Sequence, residues 1–391
     1  MKILFIGNTA SRTGAPIGLL HLLRWLREHS DIEFELLLRW GGGPLQAEYE
    51  SICRVIAYSD LWCSRGLHHR LARRFGMRTL FGRSCLSPAE ETFKDSGIDL
   101  IYANTITHGG ILTDLASLGC PVLCHVHELD SEIERYGRRN LAQVKALTGT
   151  YIADSEATRQ NLVRQHGVSA DATQLAYEFI VVDDSPDASL RSEARRLLGV
   201  GEEAFIVGGA GYPYWRKGKD LFVALAERVN RSNGQRPIHF VWVGGEQEGE
   251  DAERLRADIQ RAGVDACVHV LPQVEEPAMY YAAFDVFALV SREEPFGMVN
   301  LEAAMFGCPV LCFKDAGGAP EFVEEDAGYC VDYLDVDAMA EKVIVLAGDE
   351  AQRDRMGERA RSKVRERHDV SVVAPQIVEI IRGVMKGRHH G

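Results

Sequence analysis

The sequence predicts an α/β protein with two parallel sheets, one in each of two domains. Three observations carry that expectation. Short apolar runs alternate with amphipathic helical stretches along nearly the whole chain, the runs number twelve, and one hexapeptide occurs twice. The runs expected as strands are 2–7, 33–39, 53–58, 98–103, 121–126, 149–154, 203–209, 238–244, 267–271, 285–290, 309–313 and 328–331. Continuous apolar runs of this length suit parallel strands buried on both faces, and alternation with helices suits a sheet covered on both sides. Twelve strands overfill one open sheet, so two Rossmann-like domains divide them better than one barrel.

Taken in order, Met1-Lys2-Ile3-Leu4-Phe5-Ile6-Gly7 is too short for a secretory signal core and reads as the first buried strand. Helical patterns follow at 15–28, 218–232, 250–262, 297–306 and 336–347, the last opened by Asp335-Val336-Asp337 as a cap, and 349–387 is helical in pattern. Gly-Cys-Pro-Val-Leu-Cys stands at 119–124 and again at 307–312. In both copies a helix ends at Gly, Pro opens a strand, and polar residues follow its carboxyl end, where open α/β sheets bind ligands. The first copy leads into His125-Val126-His127-Glu128, the second into Lys314-Asp315-Ala316-Gly317-Gly318. The polar, turn-prone stretch 181–189 is the expected linker. The expected domains are 1–180 and 181–368, with a terminal helix 369–391 crossing back to the first.

Composition excludes several classes. With 391 residues, 46% hydrophobic and 26% charged, the chain is an ordinary globular protein, and a net charge of −13 disfavours a nucleic-acid partner. No apolar run approaches the ~18 residues of a membrane span. Nine scattered cysteines without a C-x-x-C read as reduced core thiols, so the expected compartment is the cytoplasm and no metal site is expected. The stretch 61–86 holds six arginines (65, 70, 73, 74, 78 and 83) and no acid. It reads either as a solvated face or as a surface for anionic lipid, which would place the protein at the inner face of the membrane.

Two motifs carry chemistry. In Glu293-Glu294-Pro295-Phe296-Gly297-Met298-Val299-Asn300-Leu301-Glu302 a strand-to-helix loop bears one carboxylate and the helix bears another. Gly297 permits close backbone approach, and the free N–H groups after it suit a phosphate. Glu302 lies too far along for the same phosphate and suits a group beside it, such as ribose hydroxyls. In Gly208-Gly209-Ala210-Gly211-Tyr212-Pro213-Tyr214-Trp215-Arg216-Lys217-Gly218-Lys219-Asp220, basic residues gather at a helix start, where they are unfavourable unless an anion binds. It is neither a Walker A loop nor a dinucleotide fingerprint.

The Glu294/Glu302 pair has the E-x7-E spacing of retaining glycosyltransferases with the GT-B fold. Its surroundings, from Ser291 through Gly307-Cys308-Pro309-Val310 to Gly317-Gly318 and Glu321, resemble glycosyltransferase family 4, as does Arg216-Lys217-Gly218 with Asp220. Thr13-Gly14-Ala15-Pro16, His125-Val126-His127-Glu128-Leu129 and Asp154-Ser155-Glu156 sit where that family has its glycine-rich first loop, its cleft histidine and its Ser-Glu segment. The resemblance implies two Rossmann-like domains with a cleft between them. It implies transfer of a sugar from a nucleotide-sugar donor, UDP- or GDP-linked, to a saccharide or lipid-linked acceptor, with retention, no cofactor and no metal. Lys217, with Arg216, would neutralise the donor diphosphate. Phe296, Gly297, Met298 and Val299 would line phosphate and sugar, with backbone donors from the last three. Glu294 would bind the sugar hydroxyls and Glu302 the ribose, while Gln273 and Val274 flank the base. Gly14 would approach the phosphates and His127 would face the donor sugar. His125 and His127 are read as facing opposite sides of the strand, with His127 preferred. Gly211 stands where many members have an arginine. That leaves open a nucleotide-sugar-binding protein without catalysis, or another GT-B enzyme such as a nucleotide-sugar epimerase.

Overall fold

A computed structural model describes residues 1–63, 87–182, 189–212, 214–232 and 238–387. The linker expected at 181–189 and the arginine-rich stretch 61–86 thus lie largely outside the described residues. The chain forms two compact units, Met1–Ala176 together with the chain end from Ala374, and Tyr177–Val373.

The first unit is built on a parallel sheet of seven strands: β1 (Lys2–Gly7), β2 (Glu33–Leu38), β3 (Arg54–Ala57), β4 (Leu100–Ala103), β5 (Val122–Val126), β6 (Thr150–Ala153) and β7 (Thr173–Leu175), ordered β3-β2-β1-β4-β5-β6-β7. Ile3, Leu4, Phe5 and Ile6 of the central β1 are fully buried, as a strand covered on both faces requires. The helix Gly14–His29 buries Leu19, Leu22, Leu23 and Leu26 at helical spacing, each worth roughly 1.5–3 kcal/mol. β7 is an addition to the expected strands, a three-residue edge with one buried position.

The second unit has six parallel strands: β8 (Phe205–Ala210), β9 (Ile238–Val243), β10 (Val268–Leu271), β11 (Val286–Leu289), β12 (Val310–Phe313) and β13 (Gly328–Val331), ordered β10-β9-β8-β11-β12-β13. The two hexapeptides therefore lead into equivalent strands, β5 and β12, each fifth in chain order within its sheet. The chain turns back at β8, running out through β9 and β10 and then to the other side through β11. A crevice opens at such a switch point, outside the carboxyl ends of β8 and β11.

Asp335 caps the helix Val336–Gly348, accepting from the Ala338 N–H at 2.9 Å. The expected terminal helical region is two helices, Glu350–Arg367 and Val370–Gly387. Where they meet, Ile180 pairs with Asp369, and the Ile180 N–H donates to the His368 carbonyl at 2.9 Å. Cysteines 53, 120, 124, 267, 308, 312 and 330 are free thiols. Among the described residues, no helix is long and apolar enough to cross a membrane.

Candidate active site

Three loops meet at the carboxyl ends of β8, β11 and β12. After β8, a single helical turn, Trp215–Lys217, ends at Gly218, and the helix Lys219–Ser232 follows. After β11, residues 290–297 run into the helix Met298–Met305. After β12, the backbone pairs with this loop: the Glu294 N–H donates to the Ala316 carbonyl at 2.7 Å, and the Gly318 N–H donates to the Glu294 carbonyl at 3.1 Å. Glu294 is thus held from both sides of its backbone.

Its side chain is buried and meets Lys217, whose Nζ donates to Oε2. Ser291 Oγ donates to the same oxygen at 3.0 Å, and Arg216 Nη1 lies 3.5 Å from Oε1. Burial disfavours the charged carboxylate, but Lys217, Arg216 and the hydrogen bonds outweigh it and hold the Glu294 pKa below its ordinary value. Burial draws the Lys217 pKa down, with Glu294 opposing it. Two cations facing one carboxylate leave positive charge for a further anion.

Gly297, at φ 92°, occupies a conformation that L side chains avoid, and a Cβ there would meet Asn300 Oδ1 at 2.6 Å. It starts a helix with no side-chain cap and no acid in its first turn, so Met298 and Val299 present backbone N–H groups. Met298 is buried, and Phe296 is buried against Tyr177 and His368, with ring centroids at 5.7 and 5.0 Å. The Phe296 side chain therefore supports the loop from within.

Glu302 is half-buried a little over one turn into that helix. Burial raises its pKa to about 7, a hydrogen bond from Tyr281 opposes the rise, and Glu178 adds to it. Gln273 is exposed and Val274 half-buried in the loop after β10. Gly211 directs its Cβ position at the Lys217 side chain, 3.1 Å from Cδ.

In the first unit, Gly14 is exposed at a helix start, where an added Cβ would meet nothing within 4 Å. Packing does not demand glycine there. His127 follows β5, its Nδ1 3.5 Å from Asp154 Oδ2 and its Nε2 3.4 Å from Asn104 Oδ1. The expectation that His125 and His127 face opposite sides is corrected. Alternate residues of a strand share a face, and their ring centroids lie 4.1 Å apart. His125 is buried on Tyr102 Oη, 2.7 Å from Nδ1. Ser155 is a helix cap, accepting from the Thr158 N–H at 2.9 Å.

The sequence motifs contain the Lys217–Glu294 pair, but they carry no signal for Tyr281 as the partner of Glu302. Nor do they reveal Arg292, whose guanidinium donates to both Asp220 oxygens at 2.9 and 2.6 Å and lies 5.1 Å from the Trp215 ring centroid. Both contacts join distant chain segments.

Residues 191–363 match the family described as glycosyl transferases group 1, and residues 12–184 match glycosyltransferase family 4. A D-inositol 3-phosphate glycosyltransferase of Xylanimonas cellulosilytica is 29% identical over 57% of this chain and 54% of its own. A GDP-mannose-dependent alpha-(1-6)-phosphatidylinositol monomannoside mannosyltransferase of Mycolicibacterium smegmatis is 26% identical over 68% of this chain and 70% of its own. The chain spans about half the length of the first curated relatives it matches. Among solved structures, Anabaena HepE in complex with UDP and glucose superposes with TM-score 0.79 at 22% identity, covering 98% of this chain and all of the other. Sucrose-phosphate synthase from Thermosynechococcus elongatus gives TM-score 0.76 at 20% identity, over 99% of this chain and all of the other.

Proposed function

The chain belongs to glycosyltransferase family 4 and has the GT-B fold, and on that premise we propose that it is a retaining, metal-independent glycosyltransferase. It moves a sugar from a nucleoside-diphosphate donor to a saccharide or lipid-linked acceptor. The observation that carries this reading is the buried Lys217–Glu294 pair at the switch point between β8 and β11, flanked by Arg216 and an uncapped helix start.

Lys217 and Arg216 neutralise the diphosphate as it departs, and the Met298 and Val299 N–H groups share the charge. The bond from the sugar C1 to the phosphate oxygen breaks, and a bond from C1 to the acceptor oxygen forms. The acceptor proton passes to the departing phosphate. Glu294 accepts from the sugar hydroxyls and Glu302 from the ribose, while Gln273 and Val274 flank the base. Gly14, with open space at its Cβ position, admits phosphate, and His127 faces the sugar. A donor of this class is supported by the relative described as GDP-mannose-dependent and by the UDP bound in the structural neighbour. Two relatives named for inositol phosphate and phosphatidylinositol acceptors support an acceptor that is phosphorylated or lipid-linked. The unit Tyr177–Val373 serves the donor in this reading. The unit led by Met1–Ala176 serves the acceptor, and any association with an anionic membrane is peripheral, at its cytoplasmic face.

Incubation with UDP-glucose or GDP-mannose, followed by proton NMR, tests the chemistry. Slow transfer to water should release the α-configured sugar first. Nucleotide sugar that binds but stays intact would identify a binding protein, an epimerised nucleotide sugar would identify an epimerase, and a β-configured first product would exclude retention.

A further inference from the structure

The first unit holds a cation that no described group neutralises. Arg39 follows β2, and its guanidinium carbon lies 5.4 Å from the Tyr136 ring centroid and 5.9 Å from that of Trp40, which is 55% exposed. Among the described residues its guanidinium has no carboxylate within 4.0 Å and no hydrogen-bond acceptor. A guanidinium stacked on aromatic faces keeps its planar fork of N–H donors free for a bidentate oxyanion.

The helix Asp130–Leu147 is broken next to this stack. Gly137, directly after Tyr136, has φ 82° and ψ 164°, and the helix restarts at Arg138. A restarted helix presents N–H groups without intrahelical acceptors. Arg138 and Arg139 are exposed there, and neither has an ion-pair partner among the described residues. The restart is fixed in place: Asn140 Nδ2 donates to the Ile106 carbonyl at 2.8 Å, and its Oδ1 accepts from the Gly109 N–H at 2.8 Å. His108, in the same loop, is 1% exposed, and neither of its ring nitrogens has a hydrogen-bond partner. Burial and the charge of Arg39 push its pKa down to about 3, so the ring is neutral and does not repel a cation. Among the described residues Arg39, Arg138 and Arg139 have no counter-ion, and Arg39, held on aromatic rings, lies close enough to the buried His108 imidazole to act on it, in a chain of net charge −13.

We propose that Arg39, stacked on Tyr136, and the helix restart at Gly137–Arg139 form a phosphate-binding subsite on the first unit, which recognises a phosphate group carried by the acceptor. That the phosphate belongs to the acceptor rests on the glycosyltransferase reading; the phosphate site itself does not. The phosphate belongs either to a small soluble ester or to a lipid headgroup.

Hydrogen exchange of the full chain, with UDP and GDP present in excess to fill the Lys217 site, separates the cases. Glycerol 3-phosphate, but not glycerol, should protect 36–43 and 133–143 if the group is a small ester. Vesicles of phosphatidylglycerol in phosphatidylcholine, but not phosphatidylcholine alone, should protect the same segments if it is a lipid headgroup. Arg39→Gln should weaken either effect at least tenfold, Tyr136→Leu should weaken it by removing the platform, and Lys217→Met should leave it intact. Absence of protection in these segments with both probes would overturn the proposal, as would equal protection in Arg39→Gln. Nucleotide binding measured alongside keeps the two readings apart. Protection without it leaves the phosphate site and removes the donor site, and the reverse result removes only the phosphate site.

Discussion

Lys217→Met should lose both stability and nucleotide binding, and adding Glu294→Gln should restore only the stability. Both side chains are largely buried, at 11% and 7% exposure, so removing the ammonium leaves a buried carboxylate with only the more distant Arg216 and the Ser291 hydroxyl as partners. Breaking such a pair costs about 3–5 kcal/mol, whereas neutralising both partners costs far less. Binding behaves differently, because the diphosphate needs the cation itself. Loss of a charge-assisted contact of about 3 kcal/mol weakens a nucleoside diphosphate roughly a hundredfold, and the double variant stays weak. Urea melts and calorimetry read the two effects separately. The pair also predicts an acid dependence. The Glu294 pKa is lowered in the folded protein, so its contribution to stability is present above the ordinary carboxylate range and is lost as pH falls through the lowered value. The double variant should lack that acid-sensitive component. A double variant as unstable as Lys217→Met would show that the ion pair is not what holds these loops.

Glu302→Gln should stabilise the free protein near pH 8 and flatten the pH dependence of nucleotide binding. With a folded pKa of about 7, the folded state keeps a proton that the unfolded chain releases near pH 4.3. Stability from this group is therefore highest below the unfolded value, falls as pH rises towards 7, and levels off above it, by at most about 4 kcal/mol. Glutamine keeps an acceptor for the Tyr281 hydroxyl and removes this penalty. Ribose hydroxyls donate best to the ionised carboxylate, so affinity in the wild type should rise from pH 6 to pH 8. The terminal phosphate of the nucleotide titrates near pH ~6 as well, so the informative quantity is the difference between wild type and variant at each pH. A difference that does not change with pH would remove Glu302 from the ribose contact.

Much of the architecture is legible in the sequence because parallel strands buried on both faces are written as unbroken apolar runs. Ile3–Ile6 and the two Gly-Cys-Pro-Val-Leu-Cys segments are such cases, and the repeated hexapeptide marks equivalent strands of the two sheets. β7 escapes because Thr173–Leu175 is a three-residue edge with no apolar run to announce it. The site is only partly legible. Lys217 and Glu294 stand out by composition and spacing, but they are 77 residues apart, and only the adjacency of β8 and β11 brings them together. Tyr281 looks like any apolar helix residue until the fold sets it against Glu302. The placement of His125 and His127 on opposite faces fails on strand geometry, since a spacing of two returns a side chain to the same face. Arg39 and Tyr136 carry no motif; their stacking follows from the way β2 and the broken helix are packed in the first unit.

The central claim is a diphosphate site that works through side-chain cations and a helix start. Calorimetric titration of the full chain with UDP and with GDP, in EDTA, tests it most directly. The account predicts saturable one-site binding of at least one of the two, unchanged by added Mg²⁺ or Mn²⁺ and lost in Lys217→Met. Binding that appears only with a divalent metal, or an isotherm that Lys217→Met leaves unaltered, would contradict it.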